Sequence, residues 1–225
     1  MSSTTSRVPQ EERTRLMRAR LLEATVEVLV ERGFAGTTTT LVSERAGVSR
    51  GAQLHHFPTK NDLVVAAVSH VMEGLGGDLR TAVAHHQGAK TRAVLRMLAD
   101  HFTSAGFKAA LELWVAARTD PELLAAVAPL ERRLGREAHR LTVELLGVDE
   151  SRPGMRELVQ ATLDLCRGLG LADTLSDDAA RRDRILDEWA GVLDRELTEQ
   201  ASGPQRQDPR AAAAGRDVFD SEVTA

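Results

Sequence analysis

Apolar residues recur every third or fourth position through most of this chain, the spacing that lines one face of a helix. From Thr14 the series Ala19, Leu22, Val26 and Leu29 predicts a long helix ending at Arg32-Gly33, where Gly33 suits a left-handed exit and Phe34 folds back on the last turn. The run "GTTTT" then opens a second helix, with Thr38 as its N-cap and Val42 and Ala46 facing inward. Gly47 ends it. Val48 plugs the turn, Ser49 caps a third helix, and Phe57-Pro58 closes that one, because a residue before proline avoids helical backbone. The buried side of the third helix needs only Val48, Ala52 and Phe57. A long helix, a short one, a glycine turn and a second short helix form the arrangement that lays its last helix in a DNA major groove.

Beyond Lys60 the helical period continues and no strand-like alternation appears. The stretch "NDLVVAAVSHVMEGL" predicts a connecting helix, which Gly74, Gly76 and Gly77 are expected to loosen or interrupt. Val94, Met97, Leu98, Phe102 and Ala105 mark the next face, ended at Gly106, and Phe107, Leu111, Trp114 and Val115 another, ended by Asp120-Pro121. Pro129 is expected to kink or break the helix that follows. Two more helices are expected, from Met155 to Leu175 and from near Ser176 to Leu197. The predicted fold class is therefore all-α. A three-helix helix-turn-helix domain (14–60) precedes a helical C-terminal domain (61–200), between an arm (1–13) and a tail (201–225) without periodicity.

Composition narrows this little: 42% hydrophobic and 28% charged residues is a soluble-domain balance. No apolar stretch approaches the roughly 20 residues of a membrane span, and the N-terminus predicts no signal peptide. A single cysteine, Cys166, fits a reducing cytoplasm. Charge adds more. The net charge of −4 divides into nine Lys or Arg against seven Asp or Glu up to Asp62, and an acidic remainder. A mildly basic head on an acidic body points to a polyanion at the head.

The chemistry gathers in "SRGAQLHHFPTK", Ser49 to Lys60. Ser49, Arg50 and Gly51 begin a helix whose first N–H groups suit a phosphate, and Arg50 and Lys60 supply charge. Gln53 is expected to read a base edge, and Leu54 to meet a thymine methyl or pack inward. His55 and His56 are donors to phosphate or base. They make a poor metal pair, since neighbours on a helix point about 100° apart. His85-His86 fails on the same geometry and reads as a surface pair. No phosphate loop, zinc-protease helix or nucleophile elbow is present. Cys166, among leucines, reads as a buried hydrophobe. Neither catalysis, metal nor cofactor is expected.

At these residues the chain resembles the TetR/AcrR family of bacterial regulators. "TTLVSERAGVSRGAQLHHFPTKNDLV" carries the likeness, with Gly33-Phe34 and the threonine cluster in register. The family usually has an apolar residue and then Tyr where this chain has Gln53-Leu54, so the tyrosine's DNA-backbone contact does not carry over. DNA contacts at Thr38 and Thr40 follow from the same likeness.

The resemblance implies a helical body that dimerises through its last two long helices, here by Leu158, Leu165, Gly168, Leu169 and Gly170 on one and Ile185, Trp189, Val192 and Leu193 on the other. It also implies an apolar effector cavity, with Met97, His101, Phe102, Trp114, Thr162 and Cys166 as its candidate lining. The expected function is a ligand-responsive, dimeric repressor on a pseudo-palindromic double-stranded operator, released by a small molecule. The rival from another class is a small helical enzyme or metal-binding protein that uses the histidines.

Overall fold

The computed structural model describes residues 10–84 and 90–202, with backbone alone at 73–84 and 200–202. Among the described residues all regular structure is helical: α1 Gln10–Gly36, α2 Thr39–Ala46, α3 Arg50–His56, α4 Lys60–Ala84, α5 Lys90–Thr103, α6 Ala105–Ala117, α7 Pro121–Leu146, α8 Met155–Ala172 and α9 Ala179–Ser202. Residues 1–9, the 85–86 histidine pair and the tail beyond 202 lie outside the described residues.

Local chemistry sets the boundaries in the head. The first helix starts at Gln10 rather than Thr14, and its extra turn is held by Arg13 on Gln10 at 2.6 Å and Arg15 on Glu12 at 2.7 Å. Gly33 breaks α1 with φ 66° and ψ 176°, a backbone that residues with a Cβ rarely adopt. Thr38 caps α2 by accepting from the Leu41 N–H, and Ser49 caps α3 by accepting from the Ala52 N–H at 3.3 Å. Between them Gly47 takes the left-handed conformation, and the Val48 N–H reaches back to the Ser43 carbonyl at 2.9 Å. Phe57 leaves the helical region with φ −140° and ends α3.

Three expectations for the body are corrected. The α4 backbone stays helical through Gly74, Gly76 and Gly77 to Ala84. Gly106 does not end a helix. It lies in the first turn of α6, after the Ser104 cap, where a side chain would collide with Val71 of α4. Pro129 sits within one continuous α7, on the exposed side of the helix, and neither breaks it nor ends it. The boundary between the last two helices also moves: α8 stops at Ala172 and α9 starts at Ala179.

Two apolar cores result. One joins α1 to α4 with α6 and the front of α7, through Leu21, Leu29, Val42, Phe57, Leu63 and Leu113. The other joins α5, the start of α6, the end of α7, α8 and α9, through Leu95, Phe107, Leu145, Leu163 and Leu186. Trp114 packs against both. The head is thus joined to the body by α1 on α6 and by α4 on α7. On the outside, ion pairs bind α9 and its approach to α5 and α6: Arg92 to Asp187, Arg96 to Asp183, and Asp173 to both Lys108 at 3.2 Å and Arg182 at 2.9 Å.

Candidate nucleic-acid interface

Helix α3 is seven residues long, and one side of it is spoken for. That side includes Gln53, contrary to its expected role as a base reader. Gln53 is 0% exposed, and its Nε2 donates to the Phe57 carbonyl at 2.7 Å. It points into the head and closes the end of its own helix, so it cannot reach a base edge. Its Oε1 has no hydrogen-bond partner among the described residues. What α3 leaves in the open is Arg50, Gly51, Leu54 and His55, with Leu54 43% exposed and His56 half-buried. Leu54 therefore faces outward. The two imidazoles meet edge to face at 5.5 Å, and His56 lies 6.3 Å from Phe57.

The surroundings fix this face. Thr38 and Thr40 are exposed at the start of α2 beside it. Arg45 at the end of α2 bonds Glu31 at 2.7 Å and Glu27 at 3.2 Å on α1, which holds the Glu31 carboxyl below its usual range. At the start of α4, Thr59 and Asp62 cap each other: the Thr59 hydroxyl donates to Asp62 at 2.8 Å, and the Asp62 N–H donates back at 3.0 Å. Lys60 does not stand free in solvent. Its ammonium donates to the Phe34 carbonyl at 2.5 Å and lies 3.9 Å from the centre of the Phe34 ring, and burial lowers its pKa. Sequence reasoning missed this strut, and also Arg18, whose guanidinium stacks 5.3 Å from the Phe57 ring.

The residues expected at a partner face are divided by the structure. Leu165, Ile185, Trp189 and Val192 come together along an open groove between α8 and α9, of about 850 Å³, edged by Arg181, Arg184, Glu188 and Arg195. Leu158 is half-buried beside the same core, and Gly168 is exposed with open space around it. Three others are corrected. Leu169 is 6% exposed and Leu193 1%, both spent in the protomer's own second core. Gly170 is buried against the Phe102 backbone carbonyl of α5, so the close approach it permits is internal.

The candidate cavity residues meet inside the second core. His101, Phe102, Phe107 and Trp114 form an edge-to-face series with centroids 5.0, 5.2 and 5.9 Å apart. Met97 packs half-buried against that core. Burial, aided by Arg167, lowers the His101 pKa to about 4, so the ring is neutral at pH 7. Cys166 is 0% exposed and burial pushes its thiol up to about 12, which makes it inert. Thr162 is committed twice, donating to the Leu158 carbonyl at 2.8 Å and accepting from Trp189 Nε1 at 3.0 Å. Trp114 Nε1 is different: it is buried with no acceptor among the described residues.

Comparisons with known proteins agree with this geometry. The family model for bacterial regulatory proteins of the tetR family matches residues 21–67, which span the second half of α1 through the first turns of α4. The HTH-type transcriptional regulator CymR of Pseudomonas putida is 31% identical over 185 residues, covering 78% of this chain and 88% of the relative. A crystal structure of a transcriptional regulator from Pseudomonas aeruginosa PAO1 superposes with a TM-score of 0.64 at 23% identity, over 85% of this chain and 94% of that one. FadR from Bacillus subtilis, solved in complex with stearoyl-CoA, superposes with a TM-score of 0.59 at 15% identity, over 78% and 96%.

Proposed function

This chain belongs to the TetR family and is a DNA-binding transcriptional regulator, and from that premise we propose that it acts as a homodimeric repressor whose release is triggered in the body. The observation that carries the reading is the division of α3 into a locked side, Gln53 and Phe57, and an open side, Arg50, Leu54 and His55. Two copies of that open side, about 34–36 Å apart, match successive major grooves of a pseudo-palindromic operator. Arg50 takes a phosphate or a guanine edge, Leu54 meets a thymine methyl, and the exposed threonines at the start of α2 hold the backbone. The cytoplasm, where the operator is, is the compartment; no described helix is long and apolar enough to cross a membrane.

Release requires an effector that binds the operator-incompetent arrangement more tightly, since equal affinity for both arrangements shifts nothing. The Trp114 indole fits the role of sensor. It bridges the two cores, and its buried N–H is a donor that an acceptor on an incoming molecule would satisfy. The histidine-based enzyme or metal protein has less support, since the relatives reported above are regulators. DNase footprinting of the chain's own promoter tests the proposal. Arg50→Ala should lower operator affinity by about 1–3 kcal/mol, or flatten the salt dependence by about one unit of slope if the contact is to phosphate. Dimer mass should not change. An unaltered footprint with Arg50→Ala would remove α3 from the interface.

A further inference from the structure

A second concavity lies away from the aromatic interior, where α1, α4 and α7 meet, with a volume of about 620 Å³. Its floor is apolar, formed by Val65 and Ala66 of α4 and Leu130 of α7, and its rim carries Arg18 of α1 with Arg133 and Arg136 of α7. His70 adds another nitrogen base, and Arg133 donates to Ser69 at 2.7 Å. One carboxylate lines the groove, that of Asp62, and it is already engaged by the Thr59 N–H and hydroxyl in the cap of α4.

Several of the chain's arginines have carboxylate partners, Arg15, Arg45, Arg92, Arg140, Arg156, Arg167, Arg181 and Arg182 among them, and others stand alone on the open surface. What sets Arg18 and Arg136 apart is the apolar concavity they line. Arg18 and Arg136 have no such partner among the described residues. The guanidinium groups of Arg18 and Arg136, set beside an apolar floor and without a carboxylate partner among the described residues, match a ligand that brings its own negative charge. Arg suits that task because its planar fork grips a carboxylate or sulfonate with paired donors.

We propose that this groove binds an amphipathic organic anion, its apolar body on Val65, Ala66 and Leu130 and its charged head against the arginine rim. The site is separate from the aromatic interior around Trp114. An occupant touches α1 and the first turns of α4 on the DNA-binding side and α7 on the body, so it sits where the two parts articulate. That consequence for DNA rests on the regulator reading; the binding itself does not.

The full-length protein, titrated with 8-anilinonaphthalene-1-sulfonate, tests it by fluorescence, against N-phenyl-1-naphthylamine, which has the same rings without the charge. The sulfonate should saturate, and Arg18→Gln with Arg136→Gln should weaken it by about tenfold or more while the neutral probe changes little. Ala66→Trp, which fills the floor, should block the sulfonate without touching the rim. Four results would overturn the proposal: no saturable binding, undiminished sulfonate affinity in the double variant, loss of binding in Trp114→Leu with the groove intact, or an operator affinity that the double variant, with no probe present, lowers as far as Arg50→Ala does. The last would make the rim a DNA contact and leave the regulator reading standing.

Discussion

At the scale of single residues, Gln53 shows what type alone conceals. A glutamine in a recognition helix has the chemistry to read adenine, and the sequence supports that role as far as donors and acceptors go. Direction was nevertheless available in the spacing. Gln53 stands four residues before Phe57 and four after Ser49, on the face that closes the helix against the head, and the structure seats it there with its amide on the Phe57 carbonyl. Its orphaned Oε1 carries a desolvation cost of about 1–3 kcal/mol. Gln53→Met keeps the volume and removes that orphan along with the Nε2 bond. The expected outcome is stability within about 1 kcal/mol of the parent by denaturant unfolding. Operator preference should be unchanged at every base pair in a selection from randomised sites. A relaxed preference at one position would restore Gln53 as a reader. Arg50 and His55 were legible as outward residues, whereas Leu54 stood open between a thymine methyl and the interior, and the buried side assigned to Val48, Ala52 and Phe57 takes Gln53 as well.

Glycines carry the comparable lesson at the scale of helices. Gly168 and Gly170 look alike in sequence, two residues apart on α8 and both plausible where a partner helix approaches. The structure separates them, because Gly168 has open space beside it and Gly170 lies against the Phe102 carbonyl of α5. Gly170→Ala should therefore destabilise the protomer by about 1–3 kcal/mol, through a backbone that has little room to yield. Gly168→Ala should be neutral or stabilising by up to about 1 kcal/mol, from helix propensity alone. Thermal unfolding of the two variants decides it, and a reversed order would mean that α5 and α8 are packed otherwise. Caps and turns, Thr38, Gly47 and Ser49 among them, were readable because each acts within a few residues of itself. Helix continuity was not. Whether Gly74, Gly76 and Pro129 interrupt a helix is not decided by local propensity, and the backbone of α4 and of α7 runs helical through them.

For the molecule as a whole, stability responds to a buried group beside the second core, and the proposed assembly to an open groove on its outside. His101 is held neutral, with its pKa lowered from 6.5 to about 4 by burial and then by Arg167. In that interval the unfolded chain binds the proton and the native one does not, so stability rises with pH across it. Acidifying from pH 7 towards 4 should cost up to about 3 kcal/mol from this group alone, beginning below pH 6.5. His101→Phe should flatten that part of the profile of urea midpoints, while leaving any carboxylate-driven loss at lower pH in place. The proposed assembly rests on the open α8–α9 groove. Its wall of Leu165, Ile185, Trp189 and Val192 is apolar, contiguous and only half covered by the protomer, while Leu193 beneath it is fully covered. A charge set into the wall should act on association before it acts on folding. Ile185→Glu with Val192→Glu is expected to give a monomer by light scattering, with helical content and unfolding midpoint near those of the parent protomer. Operator affinity should collapse with it, because one α3 can occupy only one half-site and loses the gain of tethering two. A dimer that survives the double substitution would place the partner on another face. A monomer that still footprints both half-sites would mean that the two heads find the operator without being joined in solution.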